Sequence, residues 1–438
     1  MKKLFTGLLI TGTLGWSTAQ TNIEFEEHTL DNGLHVILHE DHSTPIVAVS
    51  VLYHVGSKNE VEGRTGFAHF FEHLMFEGSP NIERGEYMKI VQANGGALNA
   101  NTSFDRTFYY EILPSNQLEL GLWLESERML QATVDSTGVE TQREVVKEEK
   151  RLRIDNQPYG SFQEEIFAKA FPGSYYEIPP IGTMADLNAA EYSDFEDFYG
   201  VFYVPNNATL SIAGDIDPDE TLEMIQKYFG GIPAGTREIP RPTEEPPALT
   251  QEVVDTVYDN IQLPGVFIGY RTPAQGTKEA YALDMLSNVL SDGQSSRMYK
   301  KIVDEEQLGV AVAAFPFSFE MAGLFINYGI VTQGVEAIAL SAAMDAEIAK
   351  VREEKISEDE YQKVLNQLEN DFVSSNGRMA GIAESLANYH VYFGDADLIN
   401  TEIEKYREIT PEYLQQIAKK YLVPSNRVVL YYLPKSES

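Results

Sequence analysis

A chain of 438 residues is too long for one ordinary hydrophobic core and points to at least two domains. With 43% hydrophobic and 23% charged residues it is globular in composition, and with no cysteine any bound metal falls to His, Asp or Glu. The net charge of −34 argues against nucleic acid and anionic membranes as partners and suits an acidic interior that attracts basic peptides.

Lys2 and Lys3, an apolar run over 4–16 and the small residues Ser17-Thr18-Ala19 form the pattern of a secretory signal over 1–19, with cleavage expected before Gln20. The run is shorter than a spanning helix requires and is interrupted by Gly7, Gly12 and Gly15, so no stable membrane anchor is expected. Loss of both lysines takes the charge to −36, and the mature protein is expected to be periplasmic or secreted.

After a strand over 47–53, the segment Thr65-Gly66-Phe67-Ala68-His69-Phe70-Phe71-Glu72-His73-Leu74-Met75-Phe76 has no helix breaker beyond Gly66 and predicts a helix capped by Thr65. Residues four apart stand one turn above each other, so His69 and His73 present two imidazoles to a single metal ion. Glu72 stands beside them as the general base for a water. Given eight histidines, a chance match to this pattern is on the order of one in a hundred. Phe67, Phe70, Phe71, Leu74 and Phe76 already supply a core face, so packing does not require the histidines.

A catalytic zinc takes three protein ligands and keeps one open position. The remaining His28, His35, His39, His42, His54 and His390 fall on predicted strands or loops without paired spacing and read as solvated or structural. A helix predicted over 139–153 offers Glu140, Glu144, Glu148 and Glu149, in a pattern that equally suits a plain charged face. Between these segments, Gly95-Gly96 marks a turn before an alternating edge strand over 97–102, and edge strands accept extended peptides through main-chain hydrogen bonds.

The stretch 202–207, Phe-Tyr-Val-Pro-Asn-Asn, returns at 421–426, with Pro205 and Pro424 219 residues apart. The same offset lays the helical segment 142–146 on 361–365, which indicates duplication. Pro240, Pro242, Pro246 and Pro247 mark a linker over 238–252 between halves at 20–237 and 253–438. Strands such as 266–270 and helices such as 121–132 and 337–353 mix without regular βαβ alternation. Each half is therefore expected to be an α+β domain, a largely antiparallel sheet with helices packed on one face. At the offset His69, Glu72, His73 and Glu149 fall on Asn288, Ser291, Asp292 and Leu368, so the second half is expected to bind no zinc.

The run 66–79, followed by Gly95-Gly96-Ala97-Leu98-Asn99-Ala100-Asn101-Thr102-Ser103 and Arg143-Glu144-Val145-Val146-Lys147-Glu148-Glu149, resembles the pitrilysin/insulinase family of inverted-motif zinc metallopeptidases, mitochondrial processing peptidase and its bacterial relatives included. The resemblance covers nearly all of the mature chain. It implies a Zn2+-dependent peptidase with Glu149 as third ligand, and a strand 97–102 that pairs with substrate, making Asn99 and Ala100 candidate binding positions. The family carries an acidic residue where this chain has Gln142. It also carries an arginine and a tyrosine in a zinc-free half where this chain has Val303 and Val310, which implies a heterodimer with a zinc-free homologous subunit, a homodimer being second choice. The competing function is a non-catalytic peptide-binding or scaffold subunit. Against it stands the presence of His69, Glu72, His73 and Glu149 together.

Overall fold

A computed structural model describes residues 22–435, so the signal expected over 1–19 lies outside the described residues. The first sheet contains β1 (Glu26–Thr29), β2 (His35–Glu40), β3 (Ile46–Tyr53), β4 (Ala97–Thr102), β5 (Thr107–Pro114) and β6 (Ala208–Gly214), in the order β1-β2-β6-β3-β5-β4. The second contains β7 (Val253–Asp259), β8 (Gly265–Thr272), β9 (Gly309–Ser318), β10 (Gly323–Val331) and β11 (Arg427–Pro434), in the order β7-β11-β8-β10-β9. Each is antiparallel apart from one parallel pair, β2 with β6 and β7 with β11. That shared exception is the duplication made structural. β3 and β8, β6 and β11, and the helices Leu118–Gln131 and Ala337–Glu353 all begin 219 residues apart.

One face of the first sheet is covered by helices of its own half. Phe67, Phe70, Phe71 and Leu74, with Leu118 and Leu122, pack on Val49, Val51 and Tyr53. The other face receives a helix from the opposite half, which explains why β6 and β8 are buried along their whole length and read as continuous apolar runs. Helix Met379–Phe393 of the second half sets Ile382, Ala383 and Leu386 against Ile37, Ala48 and Ala213. In return, helix Phe162–Ala170 of the first half sets Ile166 and Phe167 against Phe267, Ile326 and Leu430. Where that helix comes closest the sheet has Gly269, whose missing Cβ would stand 2.7 Å from Ile166 Cδ1. The exchange joins the halves into one packed body.

Between Phe229 and Val253 the described chain has no helix or strand, as four prolines demand. Its carbonyls are used instead. Asn59 Nδ2 donates to the Pro240 oxygen at 3.0 Å, and Arg271 Nη1 donates to Pro247 at 2.9 Å and to Ala170 at 2.6 Å. The turn between β9 and β10 also docks on the first half: Glu320 pairs with buried Lys58, lies 2.9 Å from His54 Nε2, and donates its own N–H to Asp105 Oδ2 at 2.9 Å. No described helix is long and apolar enough to cross a membrane.

Candidate metal centre

The motif helix runs Phe67–Leu74 and is entered through Gly66, whose φ of 89° is the left-handed region that glycine adopts without strain. Thr65 does not cap it. Its hydroxyl donates to Asp186, and the carboxylate of Glu60 accepts the N–H groups of Gly66 at 2.9 Å and Ala68 at 2.8 Å. Glu60 thus does the work of an N-cap from outside the helix, satisfying donors that would otherwise be orphaned. Burial pushes its carboxyl up to about 8, against the pull of those same N–H groups.

With Phe70, Phe71 and Leu74 anchored in the core, the opposite side of the two-turn helix presents His69 and His73, ring centroids 4.9 Å apart and perpendicular. Glu149, on helix Ser136–Lys150, brings Oε2 to 3.2 Å from His73 Nε2 and 3.6 Å from His69 Nε2. The three donor atoms fall within 4.8 Å of one another. The other glutamates of that helix are engaged elsewhere: Glu140 with Arg143, Glu144 with Lys147, and Glu148 with Arg151. Two nitrogens and one oxygen suit a zinc ion. Burial also pushes His69 down to about 4, so its imidazole is neutral and keeps a lone pair to offer, while the hydrogen bond to His73 holds the Glu149 carboxyl below its ordinary value. The residues fit the metal.

Glu72 shares the cavity without joining the cluster. Thr102, at the end of β4, donates its hydroxyl to Glu72 Oε2 at 2.7 Å, and burial raises the carboxyl above its ordinary value. Among the described residues β4 is an edge strand, paired with β5 alone, with Asn99 opposite Tyr110 and Ala100 opposite Tyr109. It forms one wall of a cavity of about 610 Å³ that also holds His69, Glu72, His73 and Glu149. A second cavity of about 900 Å³ shares His69, Thr102 and Glu149 and reaches across to Phe267, Phe315 and Phe317 of the second sheet.

Two residues escaped the sequence reading. Arg153 lines both cavities, and its Nη1 lies 2.8 Å from Glu149 Oε1, so it steadies the carboxylate from the side away from the histidines. Thr102 positions Glu72. Arg153 stands four residues after Glu149, a helical pair that the spacing could have suggested, whereas Thr102 acts on Glu72 across thirty residues and has no local signature. Gln142 is explained: its Nε2 donates at 2.6 Å to Glu77 Oε1, a buried carboxylate that a second carboxylate at 142 would repel. Val303 lies on the short helix Tyr299–Glu305 and exposed Val310 on β9, and neither lines the two cavities. His390, expected on a strand or loop, is on helix Met379–Phe393.

Residues 35–183 match the model described as insulinase (peptidase family M16), and residues 189–368 match the peptidase M16 inactive domain. A Helicobacter pylori protein named zinc protease PqqE is 30% identical over 427 residues, 96% of each chain. This chain belongs to the M16 family of peptidases. A solved protease from Helicobacter pylori superposes with a TM-score of 0.90 at 29% identity, over 94% of this chain and all of that one. The periplasmic protease PqqL of Escherichia coli superposes at 0.77 with 20% identity, this chain covering 47% of its length. His69, His73 and Glu149 all lie inside the segment that matches the insulinase model. In the other half, Ser291 and Asp292 are occupied otherwise: the Ser291 hydroxyl donates to the Ala314 oxygen at 2.9 Å, and Asp292 accepts from Gln367.

Proposed function

We propose that the chain is an exported zinc peptidase that hydrolyses extended or unfolded peptides, with His69, His73 and Glu149 as ligands and Glu72 as general base. The observation that carries this reading is the meeting, in one cavity, of a three-donor cluster, a buried carboxyl beside it and a free strand edge. Zinc held by His69, His73 and Glu149 would supply Lewis acidity toward the peptide carbonyl and toward an attacking water. Glu72 takes the proton of that water and returns it to the leaving nitrogen; a carboxyl whose proton affinity burial has raised is suited to both acts. The Thr102 hydroxyl fixes the carboxylate for the transfer. The edge of β4 offers its main chain to the substrate around Asn99 and Ala100. Phe267, Phe315 and Phe317 give apolar substrate side chains somewhere to pack, and the net charge favours basic peptides on approach.

On this reading 20–237 is the zinc-bearing half, 253–438 the zinc-free half and 238–252 the linker. Export is supported by the leader pattern and by likeness to a periplasmic protease. A peptide-binding subunit without catalysis is the second reading, and the complete set of ligands and base disfavours it. The deciding experiment measures zinc content and cleavage of a mixed peptide library for the mature chain and for Glu72→Gln. The variant is expected to keep zinc and fold and to lose about a hundredfold or more in turnover. Near-normal turnover in zinc-loaded Glu72→Gln would sink the role given to Glu72.

A further inference from the structure

Asp105 is buried at the tip of the β4–β5 hairpin, three residues after Thr102, and the proposed hydrolysis gives it no part. Its carboxylate is the meeting point of donors from three segments. Lys58 Nζ lies 3.0 Å from Oδ1, the Tyr176 hydroxyl donates to Oδ1 at 2.9 Å, and the N–H of Glu320, on the turn between β9 and β10 of the second half, donates to Oδ2 at 2.9 Å. Met321 of the same turn donates its N–H to the Tyr176 oxygen at 3.1 Å, so the second half reaches this carboxylate by two routes. The hairpin backbone is engaged as well. Ser57 and Lys58 donate their N–H groups to the Ser103 and Phe104 oxygens at 3.2 and 3.0 Å, and the approach is so close that a Cβ on Gly56 would stand 2.4 Å from the Phe104 carbonyl. The Phe104 ring packs on Phe319 of the second half, centroids 4.7 Å apart.

These contacts bear on the reacting groups. Glu60, two residues beyond Lys58, caps the helix that carries Glu72, while Ser57 and Lys58 grip the hairpin that carries Thr102. One short segment thus sets both partners of the Thr102–Glu72 hydrogen bond. Thr102 is the last rung of β4, opposite Thr107, and past that rung its place is fixed by the hairpin tip. Resting on the peptidase reading above, we propose that Asp105 is a positioning residue for hydrolysis: it ties the hairpin tip to the turn over 319–322 of the second half and so fixes the Thr102 hydroxyl on Glu72. The second half then takes part in the reaction through a turn. Misplacing a reacting group by about 1 Å can cost about a hundredfold in rate, so a tie of this kind has a large lever.

The test compares native, Asp105→Ala and Asp105→Asn full mature chains loaded with zinc. It reads zinc content, kcat and KM on one extended peptide, and hydrogen exchange of the 97–103 amides. Asp105→Ala is expected to keep its zinc and to lose on the order of tenfold to a hundredfold in kcat per bound zinc. KM is expected to change far less, because the rungs from Ala97 to Asn101 still hold the strand edge to β5. Asp105→Asn, whose amide oxygen still accepts from Lys58 and Tyr176, is expected to recover part of the loss. In a Thr102→Val chain, adding Asp105→Ala is expected to have no further effect on kcat. Unchanged kcat per bound zinc, or an equal fractional loss with and without the Thr102 hydroxyl, would overturn the proposal. Amide exchange separates it from the peptidase reading. Faster exchange over 97–103 in Asp105→Ala upholds the tie even where the native chain binds zinc and cleaves nothing, in which case the peptidase reading alone fails; equal exchange overturns the tie. Where Asp105→Ala does not fold, Tyr176→Phe, which removes one donor from Asp105 and the acceptor of Met321, is expected to move the same readouts in the same direction.

Discussion

At the three-donor cluster a single position separates Glu148, turned to Arg151 and solvent, from Glu149, turned to the histidines. One residue on a helix is about 100° of rotation, enough to decide which carboxylate faces the two histidines. Glu149→Gln is therefore expected to lose the zinc that Glu148→Gln keeps, by elemental analysis; the opposite pattern would reassign the third ligand. How much of this was legible follows from the range of each interaction. His69 and His73 were readable because their chemistry needs only the helical repeat. Glu149 was not separable from Glu140, Glu144 and Glu148 by spacing, because every one of them sits on a helix that is charged on its exposed side, and only the packing of two helices chooses between them. Thr102 carried no local pattern, while Arg153 stood at the i,i+4 spacing of a helical ion pair with Glu149 that the sequence alone gave no reason to single out.

Helices and strands announced themselves through periodicity; their ends and supports did not. Ala97–Thr102 and Ala337–Glu353 begin and end where the sequence pattern puts them, whereas the motif helix is capped by Glu60, folded back from a preceding turn, and not by the adjacent Thr65. That cap has a consequence in pH. The folded state holds the Glu60 proton up to about 8, whereas the unfolded chain releases it near the ordinary 4.5. Between those values the folded state binds the extra proton, so stability falls as pH rises through the window, by on the order of a few kcal/mol in all. Unfolding free energies measured from pH 5 to 8 are expected to fall more steeply for the native chain than for Glu60→Gln; parallel curves would show that Glu60 ionises normally. Behind the same helix, Arg128 on Leu118–Gln131 donates at 2.6 Å to both Glu111 and Glu125, with its guanidinium 4.6 Å from the rings of Tyr87 and Tyr109. All three charged side chains are buried, and burial holds Glu125 well above its ordinary value. Arg128→Met leaves two carboxyls without a cation and is expected to cost about 3–5 kcal/mol in urea unfolding. A loss below about 1 kcal/mol would mean that water or a proton replaces the guanidinium without penalty.

At the scale of the whole molecule, the α+β class was legible as pattern and composition, but the exchange of helices between the two sheets was not. Ile382 and Ile166 look like residues of ordinary amphipathic helices, and nothing local says that each packs on the other half's sheet. The exchange packs both sheets, and the two positions where the family resemblance implies a carbonyl donor hold valines that line neither cavity. Negative charge develops on the carbonyl oxygen in the transition state, and a donor placed there is typically worth about a hundredfold or more in rate. Val303 and Val310 can supply none. Arg153 lines both cavities, but it is committed to Glu149 Oε1 and its side chain is 77% exposed, so its charge is screened and shared. We therefore expect a zinc-free homologous chain to complete the site, with a homodimer as second choice. Purified chain alone is expected to bind zinc with weak turnover, and addition of the partner is expected to raise turnover about a hundredfold while leaving zinc content unchanged. Full activity in the isolated chain that is lost on Arg153→Ala with zinc retained would give the donor's role to Arg153. It would also remove the physical reason for a partner.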